Sequence, residues 1–144
     1  MDTFKKIFGK EYIKVKLSML WIFVMLNYIY ADIVTLMDSS VLKEILSGVI
    51  GGGIQVTPIF LLITSMLMEF PIAMVVLSLV LKYKWNRRAN IFVGVIKTIM
   101  VFGTMFVGTP ALYYVFFGAI EIAATLYIIW LAWKWTNPEV ASKK

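Results

Sequence analysis

One uninterrupted apolar run, residues 57–81, constrains the fold of this chain more than any other feature. Its sequence is TPIFLLITSMLMEFPIAMVVLSLVL, and Glu69 is the only charged side chain in it. About 20 helical residues cross the hydrocarbon core of a bilayer, so this run predicts a membrane-spanning helix with room to tilt. A carboxylate near the middle of such a helix costs roughly 2.5–3.5 kcal/mol, and it therefore needs a partner or a function.

The composition extends this conclusion to the whole chain. Of the 144 residues, 61% are hydrophobic and 15% are charged, whereas soluble domains are about 45–50% apolar and about 25% charged. The sequence predicts an all-α polytopic membrane protein, a four-transmembrane-helix bundle that forms a single domain over residues 1–144. The chain has no cysteine and no histidine, so neither a metal site nor a cofactor is expected.

Four spans and two shorter segments follow from the hydrophobic pattern. The spans are predicted at residues 17–36, 57–81, 90–107 and 111–133. An apolar stripe backed by lysines predicts an amphipathic segment on the inner leaflet at residues 3–16. Asp38 and the two serines after it offer N-cap groups for a short outer interfacial helix at residues 40–50, which three glycines end.

The basic residues orient these spans. All of the 14 lysines and arginines except Lys43 and Lys97 precede span one, lie between spans two and three, or follow span four. With four spans these positions share one side of the membrane, and the positive-inside rule places both termini in the cytoplasm. The sequence thus predicts a multi-pass protein of the cell membrane. Its net charge of +6 comes from the basic residues on the cytoplasmic side. The lipid bilayer is its expected partner, and nucleic acid is not.

Three carboxylates from three spans lie at a similar predicted depth. Glu69 and Glu121 are each roughly 18 Å from the cytoplasmic end of their span, and Asp32 is roughly 22 Å from it. Lys97 lies roughly 10 Å in. One lysine cannot neutralise three acids, so a cluster of these side chains must take up protons, bind a cation or admit water.

Aromatic and polar side chains share helix faces with these carboxylates. Tyr28 shares a face of span one with Asp32, and Tyr114 shares a face of span four with Glu121. The predicted ligand-binding site comprises Asn27, Tyr28, Asp32, Glu69, Lys97, Tyr114, Glu121 and Thr125. Two alternatives stay open. Asp32 lies near the outer end of span one, where its carboxylate would be hydrated at the rim of the bundle. The Lys97 side chain would extend so that its ammonium reaches the inner membrane interface.

The run KVKLSMLWIFVMLNYIYADIV, the later EFP and the central Glu121 resemble a family of bacterial and archaeal four-helix membrane proteins, known as a domain of unknown function. The resemblance covers most of the chain and implies no activity or site. A looser likeness is to DoxX-like proteins and to the sterol-isomerase and sigma-2-receptor group. In the latter group intramembrane carboxylates face a cavity for cationic amphiphiles or sterols, but the missing histidine departs from its isomerase members.

These features predict a protein that binds or transports a small cationic or amphipathic molecule in an intramembrane acidic cavity, coupled to proton exchange on Glu69 or Glu121. Two other functions are open. A membrane enzyme of the isomerase type would use paired carboxylates on a lipid-soluble substrate. Because the chain has no histidine and no cysteine, this is the weaker hypothesis. A structural or accessory subunit would use the acids to satisfy neighbouring helices. Ala119 and Ala123 offer a small-residue contact for a homodimer.

Overall fold

Five helices and one short hairpin make up the part of the chain that the computed structural model describes, residues 11–51, 53–106 and 110–136. The helices are α1 (Tyr12–Met37), α2 (Ser39–Leu46), α3 (Pro58–Val80), α4 (Tyr83–Thr104) and α5 (Leu112–Lys134). The hairpin pairs the antiparallel strands β1 (Val49–Ile50) and β2 (Ile54–Gln55). The predicted all-α class is confirmed, because the hairpin only connects α2 to α3.

Three of these helices, α1, α3 and α5, are long and apolar enough to cross a membrane. The mean hydropathy of their most apolar 18-residue windows is 1.7, 2.2 and 2.0. Their outer faces carry large exposed apolar side chains, among them Phe23, Leu62 and Phe116, as helices in contact with lipid do. α4 has a comparable length of 22 residues, but its first turns carry several lysines and arginines. These features are those of a membrane protein.

The segment between α1 and α3 differs from its prediction at one boundary. The interfacial helix predicted at residues 40–50 ends at Leu46. Gly48 follows with a left-handed φ of 77°, a conformation that commonly ends helices, and the two β-branched residues of β1 then extend. At the start of α2 the Asp38 carboxylate accepts the Ser40 backbone N–H at 3.0 Å. Hydrogen bonds from Ser40 hold the pKa of this carboxyl below its usual range.

The loop predicted between spans two and three is helical, because α4 begins at Tyr83. Its polar first turns have partners on neighbouring elements. The Asn86 amide donates to the Ser78 carbonyl oxygen of α3 at 2.6 Å. The Arg87 guanidinium donates to the Ala132 carbonyl oxygen of α5 at 3.1 Å. The predicted span three therefore lies on a longer helix than predicted, and Lys97 lies further from the start of that helix.

The other predicted segments fall on the observed helices. The spans predicted at residues 17–36, 57–81 and 111–133 lie on α1, α3 and α5. The amphipathic segment predicted at residues 3–16 lies outside the described residues up to residue 10, and its last residues form the first turn of α1. α3 continues as a helix through Pro71, although proline has no N–H to donate to the Leu67 carbonyl oxygen.

The packed core lies at one end of the bundle, where α1 and α4 begin and where α3 and α5 end. Trp21 is fully buried there, and its indole N–H donates to the Asn90 side-chain oxygen at 2.7 Å. Asn90 donates in turn to the Asn86 side-chain oxygen at 2.7 Å. The Lys16 ammonium donates to the Tyr127 hydroxyl at 2.7 Å. Most lysines and arginines of the described helices lie here, and we call it the basic end.

Candidate functional site

A cleft between α1, α4 and α5 lies in the half of the bundle away from the basic end. Its cavity has a volume of about 40 Å³ and is partly open to the outside. The lining residues are Tyr28, Ala31, Asp32, Val101, Tyr114, Phe117, Gly118 and Glu121. Two carboxylates and two phenols from two helices therefore meet around one space that is otherwise apolar.

Two glycines bring α4 and α5 together around this cleft. A Cβ built on Gly118 would overlap the terminal methyl group of Met105. A Cβ built on Gly94 would lie 2.8 Å from Cγ1 of Ile129, closer than side-chain carbons pack. At Gly94 the missing side chain lets Ile129 and the Thr125 carbonyl oxygen of α5 pack against α4, as small residues do in membrane bundles, whereas at Gly118 the close atom is the flexible end of Met105.

Glu121 is the buried acid of the cleft, with only 4% of its surface exposed. Its carboxylate accepts no hydrogen bond from the described residues and forms no ion pair with them, while its backbone oxygen accepts the Thr125 hydroxyl at 2.9 Å. Buried carboxylates are normally hydrogen-bonded or paired, because an unpaired charge is costly to desolvate. The Glu121 carboxylate is therefore available to whatever enters the cleft: a proton, water or a cation.

Lys97 of α4 lies beside this cleft and is only 1% exposed. Its ammonium nitrogen is 3.8 Å from the centre of the Tyr28 ring and 3.7 Å from the Met68 sulfur. Glu121 and Asp32 act on it electrostatically, yet neither forms an ion pair with it within the described ranges. Counted from the start of α4, Lys97 lies ~21 Å from the basic end, beyond the reach of its side chain. The structure thus places the ammonium inside the bundle, against Tyr28 and Met68, and not at the basic end.

The outer part of the cleft contains Asp32 and the two tyrosines. Asp32 is exposed and lies ~8 Å before the end of α1, which suits the rim position that the sequence left open. Tyr28 lies one turn earlier on the same helix, and Tyr114 lies two turns before Glu121 on α5. The cleft thus leads from an exposed carboxylate to a buried one, past an aromatic ring that already carries an ammonium group.

Glu69 does not join the other two acids. Its side chain is exposed on α3, whereas the buried residues of this helix are Pro71, Met74 and Ser78. Successive helical residues are rotated by about 100°, so Glu69 lies about 200° from Pro71, on the opposite face. The predicted cluster of three carboxylates is therefore corrected to a pair, Asp32 and Glu121.

Asn27 and Thr125, two further predicted site residues, bond elsewhere. The Asn27 amide donates to a backbone oxygen of its own helix at 3.1 Å, and the Thr125 hydroxyl shares a hydrogen bond of 2.8 Å with Thr98 between α4 and α5. Two residues at the site were not predicted: Phe117, which lines the cleft, and Met68, which contacts the lysine. In a span that is apolar on every side, nothing in the pattern separates such lining residues from lipid-facing ones.

A family model matches nearly the whole chain. It is that of DUF6326, a family of unknown function, and it covers residues 5–142. Neither the curated proteins nor the solved structures contain a significant match. The predicted resemblance to an uncharacterised family is confirmed, and the looser likeness to DoxX-like and sterol-isomerase proteins stays a prediction.

Proposed function

We propose a function from the cleft itself, because this chain belongs to DUF6326, a family of unknown function. The protein binds one small monovalent cation between α1, α4 and α5, and methylated ammonium ions are the class that fits best. Asp32 and Glu121 supply negative charge, and Tyr28 and Tyr114 supply aromatic surface. The observation that carries this proposal is the Glu121 carboxylate: the residue is only 4% exposed and has no ion pair among the described side chains, and it borders the open space of the cleft.

The bundle crosses the membrane four times in this proposal, with α4 as the fourth span. Its 22 residues rise about 33 Å in all, and the part from Ala89 on, beyond the charged first turns, rises about 24 Å. A hydrocarbon core of about 30 Å thins locally around such a short span. Lys97 is buried against the other helices, so it presents no charge to lipid. The exposed side chains of this part of α4 include Phe92, Val95, Ile99 and Phe102, which are all apolar. Lipid contact along α4 is therefore favourable despite its polar residues.

The basic end faces the cytoplasm of the cell in this arrangement. Three cation–π pairs mark that end: Lys16–Tyr127, Arg87–Trp133 and Lys134–Trp130. Basic residues beside tryptophans and tyrosines are typical of a membrane interface, and an excess of lysine and arginine is typical of its cytoplasmic side. The cleft then opens toward the outer half of the membrane, on the side of Asp32.

The charges of the site select a monovalent cation. With every group ionised, Asp32, Glu121 and Lys97 sum to −1, so one monovalent cation or one proton makes the site neutral. A low-dielectric site favours neutrality strongly, because unpaired charge is costly there. Cation and proton therefore compete for one place, and by linkage each weakens the binding of the other. This competition is the physical basis for coupling cation movement to proton movement.

The size and lining of the cleft select a small organic ion. The cavity has a volume of about 40 Å³, whereas ligand pockets for drug-sized molecules run from about 300 to 1,000 Å³. A small amine therefore fits better than the sterol-sized substrate of the isomerase alternative. Aromatic rings bind ammonium groups through their faces. Lys97 occupies one face of Tyr28 at 3.8 Å, so Tyr114 and Phe117 are the other rings of the cleft that can meet a ligand.

Thermal unfolding of the protein in lipid nanodiscs tests this function. Methylammonium or tetramethylammonium chloride should raise the unfolding temperature in a saturable manner, relative to sodium chloride at the same ionic strength. At 100 times Kd the stabilisation is about 2.7 kcal/mol for one site. Equal unfolding temperatures in all three salts across the concentration range would overturn the proposal.

A further inference from the structure

We propose that the exposed face of α3 is the interface with a second copy of this chain, centred on Glu69. Of the three span-like helices, α3 is the least covered, with 11% of its most apolar window buried against 39% for α5. Its buried residues all lie in its second half. The only charged residue of the helix lies on the face that the bundle leaves open.

The position of Glu69 calls for a partner outside the chain. It lies about 16 Å from the start of α3 and about 16 Å from its end, and so at the middle of the span. At that depth lipid offers no hydrogen-bond partner, and an acidic side chain on a lipid-facing surface is strongly unfavourable. Within the described ranges, Glu69 has neither an ion pair nor a side-chain hydrogen bond. Association with another chain that covers this carboxyl group therefore provides the hydrogen-bond partner that lipid lacks.

A second copy satisfies this requirement by symmetry. A two-fold axis along the membrane normal brings residues of equal depth together, so Glu69 meets Glu69 of the other copy. A protonated carboxyl group both donates and accepts hydrogen bonds, and two such groups are therefore complementary to each other. The described helices offer no exposed cation at this depth, because their other basic residues lie toward the basic end or outside the spans and Lys97 is buried.

The surface around Glu69 has the spacing of a two-helix seam. The residues at alternating intervals of four and three are Leu62, Met66, Glu69, Ala73, Val76 and Val80. The large apolar members are 60–72% exposed, and Ala73 is small enough for two backbones to approach one turn from the carboxyl pair. A single polar residue in such a seam fixes register and oligomeric state.

Disulfide cross-linking tests the interface without interference from native cysteines, because the chain contains none. Single variants Met66→Cys and Val76→Cys lie on the seam, whereas Leu61→Cys lies on a flank of α3 that is also exposed, at 54% against 63% and 60%. In purified protein diluted into lipid vesicles, oxidation should give disulfide-linked dimers at both seam positions at least about fivefold more efficiently than at Leu61→Cys. Ala123→Cys tests the alternative dimer contact, through the small residues of α5.

Changes at Glu69 itself test the role of the carboxyl pair. Glu69→Leu in the Met66→Cys background should lower the dimer yield about threefold or more, the size of one interhelical hydrogen bond. Glu69→Gln, whose amide also donates and accepts, should keep the yield. Equal yields at seam and flank, dimers only through Ala123→Cys, or cross-links only to a different protein in cell membranes would each overturn the proposal. Ammonium binding is unaffected in every case, so this test is independent of the cleft.

Discussion

Glu121→Gln is expected to weaken methylammonium binding about 10- to 150-fold, because a hydrogen bond to a charged group contributes about 1.5–3 kcal/mol. The same change should raise the unfolding temperature of the empty protein, since an amide avoids the desolvation of an unpaired carboxylate. The two effects have opposite signs, which separates loss of the ligand from damage to the fold. Both are measured in one experiment, thermal unfolding of the variant in nanodiscs with and without methylammonium.

Glu69→Gln is the matched control for this prediction. It makes the same chemical change in the same protein, but on the exposed face of α3 and away from the cleft. Its methylammonium affinity should equal that of the unchanged protein. If Glu121→Gln also binds methylammonium with unchanged affinity, the buried carboxylate does not contact the ligand and the assignment of the cleft fails.

Lys97→Met is expected to tighten methylammonium binding about 10- to 30-fold. Two unit charges about 8 Å apart interact by about 2 kcal/mol at an effective dielectric constant of about 20, so removing a neighbouring ammonium favours an incoming cation. Methionine has a similar unbranched shape and fills the space between Tyr28 and Met68. The empty variant should be less stable, because Asp32 and Glu121 then lack a counter-charge. Titration of the variant by thermal shift measures both quantities.

Lys97→Arg keeps the positive charge and serves as the control for this variant. Its methylammonium affinity should stay within about threefold of the original, because the electrostatic competition is unchanged. Weaker methylammonium binding by Lys97→Met would show that Lys97 supports the bound cation instead of repelling it. That result would contradict the charge balance proposed for the cleft.

The helix pair that carries the cleft was predictable because its polar residues repeat at helical spacing. Tyr28 and Asp32 are four residues apart, and Tyr114 and Glu121 are seven apart, so each pair had to share a face. The helices that carry them are long and apolar enough to show as spans. The sequence therefore indicated these four residues together, and the structure places them around one space.

The face of α3 was not predictable from its sequence. With Glu69 as the single charge among apolar residues, the hydrophobic pattern has no polar stripe to orient the helix. Glu69 was assigned to the inside of the bundle because it lies near the middle of its span. A residue at that position can also contact another chain. Packing of Pro71, Met74 and Ser78 against the bundle decides the face and turns Glu69 outward.

The position of Lys97 along its helix was misjudged because the basic stretch before it was interpreted as a loop. The sequence KYKWNRRAN has no apolar periodicity, and its polar side chains were assigned to water. In the structure Asn86 and Arg87 bond to carbonyl oxygens of α3 and α5, which stabilises additional helical turns. Such long-range partners cannot be read from a local pattern, and the error moved the lysine away from the acids that it faces.

Equilibrium dialysis of radiolabelled methylammonium against the nanodisc-embedded protein tests the central claim most directly. The account predicts saturable binding of one ion per chain at neutral pH. It also predicts weaker binding as the pH falls, because a proton then takes the place of the cation among Asp32, Glu121, Lys97 and the two tyrosines. Binding that does not saturate, or that is as strong in Glu121→Gln as in the unchanged protein, would contradict the account.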